Sequence, residues 1–304
     1  KMMAQTISLA LGTASVYLVY VLSKMIWDHR AANKAAWVTA FFPTLILYSC
    51  LTLREVYIVF LLLLGLISMT NFIRYKTTLS LLKTLIIFYL LAFFHGGASF
   101  GGFIFLSYML FISLKKQFKS LVNLKISVFQ FLLTLIALIP IILFATNNLS
   151  IPYLTTIYDI DLILNKANIA LKLLDANTAY PSWLIIDNVY ELFPKLIVKT
   201  IYFLYSPFVW DIKSTFHIIG FIDGTLYFVL TIYIIKNIKA IWANPTTRIF
   251  IIIFLSYAAI HGLGVGNFGT GIRHRSKFVV MMIVLAAPTL HKFIFSTPKI
   301  FNKK

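Results

Sequence analysis

Between residues 264 and 277 the sequence gathers Gly264, Gly266, Gly269 and Gly271, then Arg273, His274, Arg275 and Lys277, just ahead of an apolar run. These residue types suit a phosphate group. Glycines let backbone amides approach an anion, and arginine offers a donor fork matched to phosphate oxygens. A helix starting near Phe278 would add the favourable end of its dipole. Anchoring among lipid headgroups would account for Arg273, Arg275 and Lys277 alone, but it asks for neither a histidine between two arginines nor four glycines.

A second charged pair, Arg54-Glu55, sits in a very short turn between two apolar runs. Charge at a membrane boundary is costly unless it is paired or functional. It either pins the turn as a local ion pair or contributes to chemistry, with Arg54 sharing a phosphate with Arg273 and Arg275 and Glu55 accepting a proton from a sugar hydroxyl. His95 opens a Gly-Gly-Ala-Ser turn and His261 lies three residues before Gly264. Each is either a hydrogen-bonded structural residue or a participant in proton transfer. Asp223 falls within an apolar run, where a carboxylate is a candidate for function or for a buried hydrogen bond. Asp211, beside Trp210, is a further candidate for contact with an acceptor, whereas Asp159 and Asp161 read as solvated loop residues. No HExxH, EF-hand, Gly-Lys-Ser/Thr phosphate loop or GxSxG motif occurs, and nothing in the pattern demands a metal or another cofactor.

The elements that must position these residues are membrane helices. With 60% hydrophobic and 12% charged residues in 304, the chain is too apolar for a soluble globule. Runs long enough to span a bilayer fall near 4–23, 35–53, 55–73, 79–95, 98–114, 126–146, 216–235, 249–264 and 278–295, which predicts nine spans. Connections carrying Lys24, Arg30 and Lys34, then Arg74, Lys76 and Lys83, then Lys115, Lys116, Lys119 and Lys125 alternate with connections nearly free of Lys and Arg. The basic set is cytoplasmic by the positive-inside rule, together with Lys236, Lys239, Arg248 and the tail holding Lys292, Lys299, Lys303 and Lys304. The 264–277 loop, Arg54-Glu55, the turn at His95 and the long connection 147–215 are then external and expected to converge on one face. The short apolar stretch 195–209 reads as an interfacial or re-entrant helix, since a further span there would put the basic connections outside.

The predicted fold is therefore an all-α polytopic integral membrane protein. Six spans occupy 1–146, a cap with short interfacial helices occupies 147–215, and three spans with the basic loop occupy 216–304. The net charge of +18 is explained by basic loops flanking the spans and does not call for nucleic acid. The single cysteine, Cys50, excludes a disulfide framework and a cysteine-based metal site. Because the sequence opens on Lys1-Met2-Met3 and runs straight into an apolar helix, the natural chain is expected to begin upstream.

The stretch from Gly12 to Tyr20, Phe42-Pro43 and Leu53-Arg54-Glu55 resemble the early spans of polytopic, lipid-linked-sugar glycosyltransferases of the GT-C superfamily. More narrowly, Leu53-Arg54-Glu55, the Pro207 to Asp211 stretch and the Gly266 to Phe278 stretch resemble the Wzy-like O-antigen or capsular repeat-unit polymerases. That resemblance implies a periplasmic active face in the inner membrane of a Gram-negative cell and metal-independent transfer of an undecaprenyl-diphosphate-linked glycan onto a lipid-linked repeat unit. It implies arginines that hold the diphosphate, here Arg273 and Arg275 with Arg54 and Lys277, and a proton acceptor, here Glu55 or His274. Implied partners are undecaprenyl-diphosphate-linked oligosaccharides, membrane lipids and a chain-length regulator. One departure is that the acidic first external loop common in the superfamily is not seen here. Competing readings are a single-sugar transferase using a polyprenyl-phosphate sugar, and a transporter or flippase of lipid-linked glycans. The latter is disfavoured by the lack of an obvious internal repeat.

Overall fold

A computed structural model describes residues 2–122 and 178–291, with isolated positions 134, 135, 138, 165, 168 and 171 between them. The predicted span 126–146 apart from positions 134, 135 and 138, residues Lys125, Asp159, Asp161 and Asp175, and the tail with Lys292, Lys299, Lys303 and Lys304 lie outside the described residues.

The described residues are helical. The first half contributes α1 (Met2–Ile26), α2 (His29–Phe41), α3 (Pro43–Cys50), α4 (Glu55–Tyr75), α5 (Thr78–Phe94) and α6 (Gly96–Val122). The second contributes α7 (Leu192–Tyr205), α8 (Thr215–Lys236), α9 (Ile238–Ala243), α10 (Pro245–Gly264), α11 (Phe268–Arg275) and α12 (Val279–Ala286). Among the described residues five helices are long and apolar enough to cross a membrane: α1, α4, the Gly96–Phe118 part of α6, the His217–Lys236 part of α8, and α10. The described residues are thus all-helical, with apolar helices of the length that a membrane protein needs. In lipid every backbone polar group must bond internally, so apolar runs of this length have no alternative to a helix.

The nine-span expectation differs from what these residues form. The run 35–53 is broken at Phe42, whose ψ of 116° is extended, because Pro43 disfavours helical backbone before it and then starts α3 at its first position. The run 79–95 becomes α5, an apolar helix of 17 residues. The run 278–295 becomes α12, only eight residues long and buried at every one of them. Eight residues rise about 12 Å, well short of a hydrocarbon core. α12 is a core helix, and a helix apolar on all sides reads alike whether protein or lipid surrounds it. Its C-terminal carbonyls are met by polar side chains: Trp27 Nε1 donates to Val284 O at 2.9 Å and Asn237 Nδ2 to Leu285 O at 3.0 Å. Just beyond, Lys34 Nζ donates to Pro288 O at 2.7 Å and Leu290 O at 2.8 Å. Lys34, counted above as a loop charge, serves as a cap on the end of the chain's central helix.

α7, which covers most of 195–209, has 14 residues and falls short of a span. It lies against α10 and α8 through contacts that only glycine permits. A Cβ on Gly262 would lie 2.7 Å from Thr200 Cα, and one on Gly224 would lie 2.1 Å from the Tyr205 carbonyl oxygen. Small residues of this kind let backbones in a membrane approach closely. Gly224→Ala is therefore expected to push α8 off the end of α7 and to destabilise the protein by about 1–3 kcal/mol. Thermal unfolding in detergent checks this, and an unchanged midpoint would mean that α7 and α8 are not in this register.

Candidate functional site

α4 begins where α5 ends, and α6 starts immediately after His95, so Arg54, Glu55 and His95 share one end of the bundle. The C-terminal end of α10, with His261, reaches the same place. The backbone then turns through Val265, and Asn267 caps α11 by accepting from Thr270 N at 2.7 Å. The Gly269 to Arg275 stretch is consequently helix, where a glycine-rich loop was expected. Arg273, His274 and Arg275 fall at the C-terminal end of α11, and Lys277 follows it, just ahead of α12, which starts at Val279 with Phe278 as its N-cap, as expected. No described glycine has positive φ. Gly271 is confined by close approach, since a Cβ there would lie 2.7 Å from Tyr180 Oη, whereas Gly264 faces open space and Gly269 comes no nearer than 3.7 Å to Asn267 Oδ1. Gly266 O accepts from Tyr180 N at 2.8 Å, and Phe268 N donates to Thr178 O at 2.9 Å. These bonds bring the last part of the 147–215 connection onto the same end of the molecule.

Successive residues of a helix point about 100° apart, and α11 uses this to send three adjacent side chains to three places. Arg273 reaches Glu55, with Nε donating to Oε1 at 2.6 Å. His274 reaches His95 and His261, its ring centroid 5.1 Å and 5.0 Å from theirs. Arg275 turns into the core against Asp223, with Nη2 to Oδ2 at 2.7 Å.

The two arginines of the expected phosphate clamp thus differ in kind. Arg275 is 1% exposed, and besides Asp223 it donates to the carbonyls of Leu204 at 3.0 Å and Ser206 at 2.7 Å while its Cζ lies 4.9 Å from the Tyr227 ring centre. A cation there satisfies the orphan carbonyls at the end of α7. Asp223 is its buried counter-ion, and neither is open to a ligand. Arg273 is 40% exposed, and among the described residues its terminal Nη nitrogens take no protein acceptor. Arg54 is exposed and donates through Nη1 to Phe94 O at 3.3 Å. Lys277 is wholly buried, with Nζ 3.8 Å from Glu55 Oε1 and 3.4 Å from His274 Nδ1.

Glu55 is 1% exposed and held at Oε1, while its buried Oε2 has no hydrogen-bond partner among the described residues. Burial pushes the Lys277 ammonium down to about 7, against the pull of Glu55 and assisted by Arg54 and Arg273. Burial also takes His95 down to about 3 and His274 to about 2, with Lys277 the next cause for each, so both rings are neutral at physiological pH. The remaining candidate, Asp211, folds back on its own turn, accepting from Phe208 N at 3.0 Å, and stays with that turn rather than joining Glu55.

Beside Glu55 a cleft of about 590 Å³ runs between α1, α2, α3 and α4. Gly12, Val16, Ala36, Leu45 and Val59 make its apolar wall, Ser15, Tyr20 and Tyr48 add hydroxyls, and Glu55 and Ser276 also line it. No family model, curated protein or solved structure matches the chain. The arrangement itself is an apolar groove lined by a carboxylate whose Oε2 has no partner among the described residues and whose Oε1 meets a half-exposed guanidinium and, at 3.8 Å, a buried amine. Such a groove suits an amphiphile with an anionic head. Two parts of it went unnoticed in the sequence: Asn267, an N-cap residue type just ahead of α11, and Tyr48 on the cleft wall, for which no sequence signal stands out.

Proposed function

We propose that this protein is a membrane glycosyltransferase of the Wzy-like kind, polymerising undecaprenyl-diphosphate-linked repeat units at the periplasmic face of the inner membrane. The observation that supports it most is the cleft lined by Glu55, whose Oε1 is held by Arg273: an apolar groove for a polyprenyl chain with an acceptor for a proton in its wall and a donor for the diphosphate bonded to that acceptor. The charge distribution supports this sidedness. Lys24, Arg74, Lys76, Lys115, Lys116 and Lys236 lie at the helix ends remote from Glu55, His95 and His261, as a cytoplasmic surface requires.

In the reaction, a sugar hydroxyl of one lipid-linked repeat unit attacks the anomeric carbon of the growing glycan. The bond from that carbon to the diphosphate oxygen breaks, and undecaprenyl diphosphate leaves. Arg273 and Arg54 bear the charge that develops on the leaving oxygen, and Lys277 reinforces the field from below. The hydroxyl proton passes to Glu55 Oε2, the oxygen that no donor among the described residues occupies, with His274 as the alternative acceptor. Arg275 has no part in this step.

Deleting the gene is expected to leave a single repeat unit on the lipid A core and to erase the longer ladder, as read by gel analysis of surface polysaccharide. Loss of every repeat-bearing product would instead place the protein upstream, as a flippase or an assembly transferase.

A further inference from the structure

His95 closes α5, His261 lies near the end of α10 and His274 sits in α11, yet their ring centroids are only 5.0 to 5.3 Å apart. One nitrogen from each lies within 4.8 Å of the other two. The buried Nδ1 of His95 and Nε2 of His261 have no hydrogen-bond partner among the described residues. A buried polar nitrogen left without a partner is costly, and native proteins seldom tolerate two in one place without something that answers them. Room for the rings is provided by Gly97, where a Cβ would lie 3.1 Å from Cε1 of both His95 and His261.

We propose that His95, His261 and His274 bind a first-row transition-metal dication, with zinc the best fit. Three imidazoles and no thiolate or carboxylate set match zinc, copper, nickel or iron rather than magnesium or calcium, which take oxygen ligands. Three protein ligands with an open fourth position are the pattern of a reactive zinc site rather than a purely structural one. Ligand nitrogens in a tetrahedral site stand about 3.3 Å apart, from zinc to nitrogen distances of about 2.0–2.1 Å. Closing from 4.8 Å is within the reach of imidazole rotation. Lys277, Arg273 and Arg54 flank the triad while Glu55 offsets one of their charges, so the open position goes to an anion such as hydroxide or a phosphate oxygen. The sequence carries no metal-binding motif because the three histidines come from separate elements.

The test is a cobalt titration of the whole chain, purified in detergent through a tag without histidine and stripped with chelator. One equivalent of Co²⁺ should give the visible absorption of a four-coordinate site, displaced stoichiometrically by Zn²⁺. His95→Ala and His274→Ala should weaken binding by more than about 100-fold, beyond what loss of an outer-shell partner costs. Wild-type protein that shows no saturable absorption would overturn the proposal, whether or not the variants fold. So would folded His95→Ala and His274→Ala variants, with unchanged melting, that bind Co²⁺ as the wild type does. The titration reads the metal and not the polymer; with His274 bound to the metal, Glu55 Oε2 remains as the proton acceptor of the glycosyl-transfer proposal.

Discussion

Arg275→Ala is expected to cost the fold about 3–5 kcal/mol, because it strands a buried carboxylate without its counter-ion. Asp223 is 4% exposed, and its Oδ2 accepts from both Nε, at 2.9 Å, and Nη2, at 2.7 Å, of that one guanidinium. The same change removes the donor that answers the carbonyls of Leu204 and Ser206 at the end of α7, in surroundings where water does not replace it. Set against a total stability of about 5–15 kcal/mol, such a loss removes much of the folded population. The level of folded protein in the membrane and its melting point in detergent measure this directly. Converting the pair to Arg275→Met with Asp223→Leu is expected to recover part of the loss, since no charge is left buried, but not all of it, since the carbonyls stay unanswered. An Arg275→Ala protein that accumulates and melts normally would show that the guanidinium is not a structural staple.

Arg273→Ala is expected to do the reverse, leaving most of the fold and removing the polymer. Its side chain is 40% exposed, and Glu55 retains Lys277 at 3.8 Å when Arg273 goes. The loss falls on catalysis, because a donor positioned for charge that develops in the transition state is worth about 10²–10³ in rate. Arg273→Lys sharpens the point. It keeps a positive charge but not the forked donor geometry, so an intermediate ladder of shortened chains is expected. If both variants make a full-length ladder at normal protein level, Arg273 does not hold the leaving group.

The contrast between these neighbours shows what could be read from the sequence and what could not. Long apolar runs announced α1, α4, α6, α8 and α10, because a membrane leaves such runs one backbone solution. The break at Phe42-Pro43 also carried its own signal in the proline. α12 did not, since hydropathy scores burial in protein and exposure to lipid alike. The charged cluster was visible as composition, and its convergence with Arg54-Glu55 and His95 on one end of the bundle followed from counting helices. The division of labour between Arg273 and Arg275 was hidden because adjacent residues on α11 diverge by about 100°. Which of them meets Glu55 and which meets Asp223 depends on where α4 and α8 stand. The histidine triad was hidden for the same reason: His95 and His261 were each noticeable, but their meeting depends on the packing of α6 against α10.

The most direct measurement of the central claim uses the purified protein in lipid nanodiscs with a single defined undecaprenyl-diphosphate-linked repeat unit as both donor and acceptor. Products of two, three and more repeats are expected, with one undecaprenyl diphosphate released per bond formed and both signals lost in Arg273→Ala. Failure to elongate that substrate, together with transfer of one sugar from a polyprenyl-monophosphate donor, would contradict it.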